Sequence, residues 1–389
     1  MKVLVAMSGG VDSAVSALLL KQQEADITAA NMRFWEYEEN CEIPQQQQSS
    51  SKGESALQNP TNVIKKRITS CCSPEDLGDA ERTASSMHIP FYALKMEADF
   101  RKSVIEPFID DYKNARTPNP CVHCNTFIKF GEFYDKATTL GFDKIATGHY
   151  ADVVLLDNGR YAIGPAEDEH KDQGYYLYGL SQKALSRTIF PLAKLTKEEV
   201  RKLAEENDIS IAQKPESQEI CFIPENNYRN FLKKEGVKFQ TGFVKDTKGK
   251  ILAKHSGKEN YTVGQRKGLN LAVGHPLYVL KILVNGDVIV GTKEEMDQKT
   301  FIVDQLIFQG LSPSDFNGSS KVECLVQIRY NSKPVLATMT LNSSKSDNGI
   351  QVDVELLEDT YAITPGQAAV FYHPHEKYIL AGGKIRSFE

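Results

Sequence analysis

The sequence predicts an α/β domain on a parallel sheet, followed by a small middle domain and a C-terminal β-barrel. Three observations point there. Apolar runs alternate with helix-forming stretches in the first half, a Gly-rich turn joins the first run to the first helix, and short alternating segments with turn signals fill the last third. A chain of 389 residues is long enough for two or three cores. The expected boundaries are 1–207, 208–277 and 278–389.

The first strand is Lys2 to Met7, the turn Ser8 to Ser13, and the first helix Ala14 to Lys21. Ile27 to Met32, Phe91 to Lys95 and Lys144 to Thr147 supply further strands. Residues 36–70 are polar and biased, with Gln45 to Gln48 and Ser49 to Ser51, and read as an insertion too poor in apolar groups to order itself. Thr196 and Glu199 have capping-box spacing and open a helix to about Glu206 that closes the α/β domain. The middle domain has a short helix, Tyr228 to Lys234, stopped by Gly236, then a Gly/Lys-rich stretch to Gly274. Tyr278 to Val284 and Val288 to Gly291, joined by Asn285-Gly286, form a hairpin that begins the barrel. Val322 to Tyr330, Val335 to Leu341, Ile350 to Leu356, Ala368 to Tyr372 and Tyr378 to Ala381 continue it.

Charge restricts the partners. With 46 Lys+Arg against 51 Asp+Glu the net charge is −5, so a nucleic acid must meet a local basic surface rather than a generally cationic protein. No apolar run approaches a membrane span, and the chain reads as cytosolic. Seven cysteines in a chain this long suit thiol or metal chemistry better than a disulfide framework.

Ser8-Gly9-Gly10-Val11-Asp12-Ser13 lies between strand and helix, where glycines turn backbone amides toward an anion and the helix start adds partial positive charge. It has neither the Gly-Lys-Ser/Thr ending of a Walker loop nor a Gly-x-Gly-x-x-Gly pattern, which sets aside P-loop NTPases and dehydrogenases. The loop resembles the PP-loop of ATP pyrophosphatases, whose domain is adenine nucleotide alpha hydrolase-like. By that resemblance Ser8 and Ser13 bond phosphates, and Asp12 holds the loop or a Mg²⁺ ion.

Cys121 and Cys124 follow Arg116-Thr117-Pro118-Asn119-Pro120, whose prolines stiffen the approach. Alone, the Cys-x-x-Cys is open to metal, redox and chance readings, and Cys221 in Glu219-Ile220-Cys221-Phe222-Ile223 is open to a core role or a nucleophilic one. Cys41, Cys71, Cys72 and Cys324 read as bystanders.

Taken together, these motifs resemble the tRNA-specific 2-thiouridylases, the MnmA/TrmU family, over essentially the whole chain apart from the insertion. The resemblance also rests on Ala146 to Tyr150, Lys171 to Gln173, Tyr261 to Leu269, Ile328 to Tyr330 and Thr364 to Gln367. It implies an ATP site at Ala6, Met7, Ser8, Gly9, Gly10, Val11, Asp12, Ser13, Met32 and Gly148. It implies that Cys124 is a catalytic thiol and that Cys221 carries a persulfide. His149, Lys171, Asp172, Gln173, Arg329, Tyr330 and Gln367 match positions that contact tRNA or order the site around its target uridine. Without it, His149 reads as a loop histidine, Arg329 as a solvated charge and Lys171-Asp172 as a surface turn.

The implied activity is ATP-dependent 2-thiolation of the wobble uridine of tRNA. ATP and Mg²⁺ activate the C2 oxygen, and a sulfur-donor protein or cysteine desulfurase relay loads Cys221. One departure matters: Cys121 stands where many members carry Asp. Cys121, Cys124 and Cys221 could instead ligate a [4Fe–4S] cluster that binds hydrosulfide, and both routes stay open on sequence grounds. A different PP-loop adenylating enzyme is the other alternative.

Overall fold

The computed structural model describes residues 1–34, 74–215, 220–223, 226–296, 298–316, 321–346, 349–358, 360 and 362–386. The 36–70 insertion, Cys41, Cys71 and Cys72 lie outside the described residues. Strands β1 (Lys2–Ala6), β2 (Asp26–Arg33), β3 (Phe91–Lys95), β4 (Lys144–Ala146) and β7 (Thr188–Ile189) form a sheet in the order β3-β2-β1-β4-β7. Every pairing in it is parallel.

Both faces of the sheet are covered, which is why β1 reads as a continuous apolar run rather than an alternating one. Val3 and Val5 pack with α1 (Val11–Gln22), α2 (Pro74–Ser86) and α5 (Lys197–Glu206), through Ala14, Leu18, Ala80, Ala84, Val200 and Ala204. Leu4 and Ala6 pack against the helices at 97–113 (α3) and 120–139 (α4), through Phe100, Phe108, Ile128 and Phe133. α4 widens to π-helical turns over Cys124–Glu132. The capping box at Thr196 is formed as the spacing requires, with the Thr196 hydroxyl and the Glu199 carboxylate each accepting from the other's backbone N–H.

Strand order reverses beside β1, so the crevice at the carboxyl ends of β1 and β4 is the topological switch point, where open α/β sheets bind ligands. The Ser8–Ser13 loop leaves β1 there, and Thr147-Gly148-His149 leaves β4.

A hairpin, β5 (Asp152–Leu155) with β6 (Tyr161–Gly164), and the helix α6 (Tyr228–Lys234) lead toward the second sheet. That sheet has the order β10-β11-β8-β9, from β8 (Gly242–Lys245), β9 (Ile251–His255), β10 (Tyr278–Ile282) and β11 (Val288–Gly291). It corrects one expectation. The hairpin around Asn285-Gly286 forms, but β11 pairs with β8 through Val288↔Val244, so the hairpin joins the middle sheet and not the barrel. Val279, Val288 and Val290 bury their side chains with Val244 and Leu269, which removes them from the later core.

The barrel closes in the order β12-β15-β14-β13-β16-β17. Its strands are β12 (Thr300–Phe308), β13 (Lys321–Gln327), β14 (Val335–Ser346), β15 (Gly349–Leu356), β16 (Ala368–Tyr372) and β17 (Ile379–Ile385). Buried Gln309 fastens it to the α/β domain: its amide donates to Leu177 O at 2.9 Å and Tyr178 O at 3.0 Å, and its Oε1 accepts from Ile163 N at 3.0 Å. No helix among the described residues is long and apolar enough to cross a membrane.

Candidate active site at the switch point

Helix α1 begins at Val11 with no side-chain cap, so its first amides are left for an anion or water. The loop before it is fixed internally. Ser13 Oγ donates to Gly10 O at 2.8 Å and accepts from Ser8 N at 3.2 Å. Gly9 has φ +80°, and a Cβ there would stand 2.1 Å from Asp76 O, so position 9 tolerates only glycine. Lys214 Nζ donates to Gly9 O at 3.0 Å and pairs with Asp76 and Asp79, tying the turn to α2.

Asp12 is held by residues from outside the loop. Lys197 Nζ donates to its two oxygens at 2.7 and 2.9 Å, and Tyr150 Oη donates to Oδ1 at 2.8 Å. A negative residue is thereby neutralised where phosphates would gather.

Ala6, Met7, Ser8, Gly10, Asp12 and Ser13 face a cleft that is closed by Asn31, Met32, Phe34, Lys129, Thr147, Gly148, His149 and Gln173. Asn31 Nδ2 donates to Met7 O at 2.8 Å and squares the end of β1 against β2. Gly148 touches the loop so closely that a Cβ would lie 2.8 Å from Asp12 C and Ser13 N. His149 is buried, with Nδ1 2.7 Å from Thr147 Oγ1 and Nε2 3.3 Å from Lys129 Nζ. Burial, and then the Lys129 charge, hold its pKa well below 6.5, so the imidazole is neutral. Gln173 clasps Tyr150 on both sides, accepting from Tyr150 N at 3.0 Å and donating its own N–H to Tyr150 O at 2.8 Å.

The cysteines lie alongside. Asn119 caps the start of α4 by accepting from Val122 N at 3.4 Å. Cys121 is exposed on the first turn, and Cys124 is buried at the start of the π-helical stretch. Cys221 is half-buried and packs against the same apolar cluster that contains Cys124. Its neighbour Phe222 is wedged among Phe100, Phe108 and Phe231, with ring centroids 5.9, 5.1 and 5.3 Å away, and this anchors the 220–223 turn. Cys324 is in the barrel core, where burial pushes its thiol up to about 12.

Several residues expected at the RNA surface are structural ties here. Arg329 Nη2 donates to Val263 O, Ala362 O and Thr364 Oγ1 at 3.1, 2.9 and 2.6 Å, binding the 261–269 loop to the barrel. Gln367 Nε2 donates to Thr117 O and Pro118 O at 3.1 and 2.9 Å, holding the approach to Cys121. Asp172 is no surface turn: its carboxylate accepts from Ala166 N at 2.7 Å and Gly174 N at 2.9 Å, and burial raises its pKa. Tyr330 donates to Asp172 O at 3.3 Å and packs on Tyr176. Lys171 sits half-buried on the same loop, and Val11 lies inside α1 with its side chain in the core.

Asn31, Phe34, Lys129 and Lys197 are residues around the cleft that no sequence pattern singled out, and Thr147 and Tyr150 lie in the Ala146 to Tyr150 motif without a role given to them there. Lys197 is visible in the sequence only as the residue after a cap, and Lys129 only as a basic residue five positions past Cys124.

Family models match the chain in three pieces: a "tRNA methyl transferase HUP domain" at residues 1–63 and 45–225, a "tRNA methyl transferase PRC-barrel domain" at 229–292, and an "Aminomethyltransferase beta-barrel domain" at 298–385. The chain is 48% identical over 385 residues to the tRNA-specific 2-thiouridylase MnmA of Leptospira biflexa, covering 99% of this chain and 93% of the relative. The protein of the same name from Leptospira interrogans is also 48% identical, with 99% and 94% covered. That of Carboxydothermus hydrogenoformans is 40% identical, with 99% and 97% covered. Among solved structures, an NH3-dependent NAD synthetase from Campylobacter jejuni aligns at 17% identity and a TM-score of 0.30, covering 55% of this chain and 67% of that one; this likeness carries no weight.

Proposed function

Since the chain belongs to the tRNA-specific 2-thiouridylase family, we propose that it thiolates the wobble uridine of tRNA in the cytoplasm by adenylating the C2 oxygen and replacing it with sulfur carried on Cys221. It is a tRNA sulfurtransferase. One observation supports the detailed reading: Lys129, on the helix whose first turns carry Cys121 and Cys124, lines one cleft with the phosphate loop and meets His149 there.

The C2 carbonyl of uridine is a poor electrophile with a poor leaving group. ATP bound against Ser8 to Ser13, beside Met32 and Gly148, gives up AMP to that oxygen and releases pyrophosphate. Asp12, already paired with Lys197, is the one carboxylate among the residues lining the cleft, so a Mg²⁺ ion would be held largely by the phosphate oxygens it comes with and would supply screening of their charge. The terminal sulfur of a Cys221 persulfide, ionised at neutral pH, attacks C2 and expels AMP. The Cys124 thiolate then attacks the inner sulfur of Cys221, which releases 2-thiouridine and leaves a Cys124–Cys221 disulfide for an external thiol to reduce. A sulfur-donor protein, the end of a desulfurase relay, reloads Cys221. The wobble base must leave its stack to enter the cleft.

The cluster alternative does not fit the thiols as they stand. Cys121 is exposed while Cys124 is buried, and among the described residues no three His, Cys, Asp or Glu groups gather to hold a metal. The persulfide route needs no cluster, and Cys121 has no required part in it. The reading is tested by incubating the protein with tRNA, ATP and persulfidated donor and counting pyrophosphate against thiolated tRNA. Equal amounts support it; thiolation without pyrophosphate overturns it.

A further inference from the structure

Lys129 faces the cleft as an uncompensated positive charge. It lines the same cavity as Ser8, Ser13, Met32 and Gly148, and among the described residues it makes no ion pair. Its partner is the neutral His149 imidazole. An ammonium can only donate, so His149 Nε2 is the acceptor in that contact and the ring proton sits on Nδ1, aimed at Thr147 Oγ1. The chain Thr147–His149–Lys129 therefore fixes where the ammonium stands without neutralising it. Asp12, the acid of the cleft wall, is already matched by Lys197. Lys129 is thus placed to meet an anion that enters the cleft.

Its place on α4 says which part of the anion. Lys129 and Cys124 are five residues apart on the π-helical stretch, one turn in its i→i+5 register. In the adenylated intermediate the α-phosphorus is bonded to the oxygen on C2, the carbon that sulfur attacks. A group one turn from Cys124 therefore belongs at the α-phosphate, while the β- and γ-phosphates occupy the loop at the start of α1.

We infer that Lys129 is a catalytic residue of the adenylation step, donating to a non-bridging oxygen of the α-phosphate, with His149 and Thr147 as its positioning pair. This rests on the adenylation reading given above. In the step, the bond from uridine O2 to the α-phosphorus forms as the bond to the pyrophosphate oxygen breaks. The uridine N3 proton passes to solvent, and Lys129 stays protonated throughout, countering charge that is greatest in the transition state.

The test uses the full-length protein with unmodified tRNA, and compares wild type, Lys129→Met and Lys129→Arg for single-turnover pyrophosphate release, ATP KM, tRNA affinity and melting temperature. Lys129→Met is expected to slow release by about 10²–10³-fold while ATP KM and tRNA affinity stay within about threefold of wild type. Added methylammonium restores about tenfold to this variant and nothing to wild type, a response that a merely structural lysine would not give. If the methionine variant does not fold, Lys129→Arg carries the test, with a rate about tenfold down at unchanged KM expected. Release within about threefold of wild type overturns the inference. So does a defect confined to tRNA affinity, which would assign Lys129 to an RNA phosphate, and so does a slowed, destabilised variant that amines fail to rescue. A wild type that releases no pyrophosphate with tRNA fails the adenylation reading itself, and is distinguished by the parent protein being inactive.

Discussion

A single methyl group at Gly148 tests whether the phosphate loop is set by contact with the strand end opposite it. An alanine Cβ there would lie 2.8 Å from Asp12 C and Ser13 N and 3.0 Å from Asp12 O, where ordinary contact begins near 3.4 Å. The start of α1 must therefore retreat by about 0.6 Å, and because every clashing atom is backbone, no side chain can swing aside. Overpacking of this kind costs about 1–3 kcal/mol, which lowers the melting temperature by about 3–10 °C in a domain of this size. A displaced loop misplaces the phosphates, so pyrophosphate release falls by about ten- to a hundredfold. Gly10→Ala is the internal control. Its Cβ would meet only Ser8 Oγ at 3.6 Å, and its backbone, φ −98° and ψ 157°, suits any residue. The nucleotide-free Gly10→Ala protein should melt within about 0.5 kcal/mol of wild type. Thermal unfolding without nucleotide compares the two variants, and single-turnover release follows for Gly148→Ala. Equal destabilisation by both, or a Gly148→Ala variant with normal release, refutes the contact argument.

Three further outcomes follow from the same geometry. Lys197→Met strips the ion pair from Asp12; with side chains 10% and 30% exposed, the loss should be about 2 kcal/mol, below that of a fully buried pair. Adding Asp12→Asn should recover at least about 1 kcal/mol in a denaturant-based double-mutant cycle, and strict additivity would show the pair to be idle. Cys221→Ser should abolish thiolation with pyrophosphate release retained, whereas Cys324→Ser, in the barrel core with its thiol pushed up to about 12, should thiolate normally; mass spectrometry locating the persulfide on Cys324 would contradict this. His149 has a folded pKa well below its ordinary 6.5, so the unfolded chain takes up a proton first as pH falls. Stability is thus unaffected above 6.5 and declines below it, by up to about 1.4 kcal/mol per pH unit from this group. Denaturant midpoints for His149→Gln should show a shallower acid slope than wild type, part of which half-buried His123 and buried His255 retain because burial lowers their pKa values too.

The parts legible in the sequence were those whose signal is contiguous. Ser8 to Ser13 combines loop, glycines and helix start in six residues, and the Thr196 capping box is read from two positions. What escaped depends on distant partners. Asn285-Gly286 announces a hairpin, but its neighbour is decided by the parallel pairing of Val288 with Val244, more than forty residues back. β12 was hidden because its alternation breaks at Asp304, where the register shifts and Gln305 takes φ +55°. Lys129 and Lys197 sit on helices among charged or apolar neighbours and read as ordinary solvated residues; only the fold turns one to His149 and the other to Asp12. Arg329 shows the same. Taken alone a basic residue just past a strand reads as a solvated charge, yet its Nη2 donates to three protein oxygens that no local pattern reveals.

Nucleoside mass spectrometry of tRNA after one turnover, with the protein loaded as persulfide and ATP supplied or withheld, bears most directly on the central claim. The predicted result is a wobble uridine in which one oxygen is replaced by sulfur, formed only with ATP and matched mole for mole by AMP. A uridine that gains a methyl group, or sulfur incorporated equally well without ATP, would contradict it.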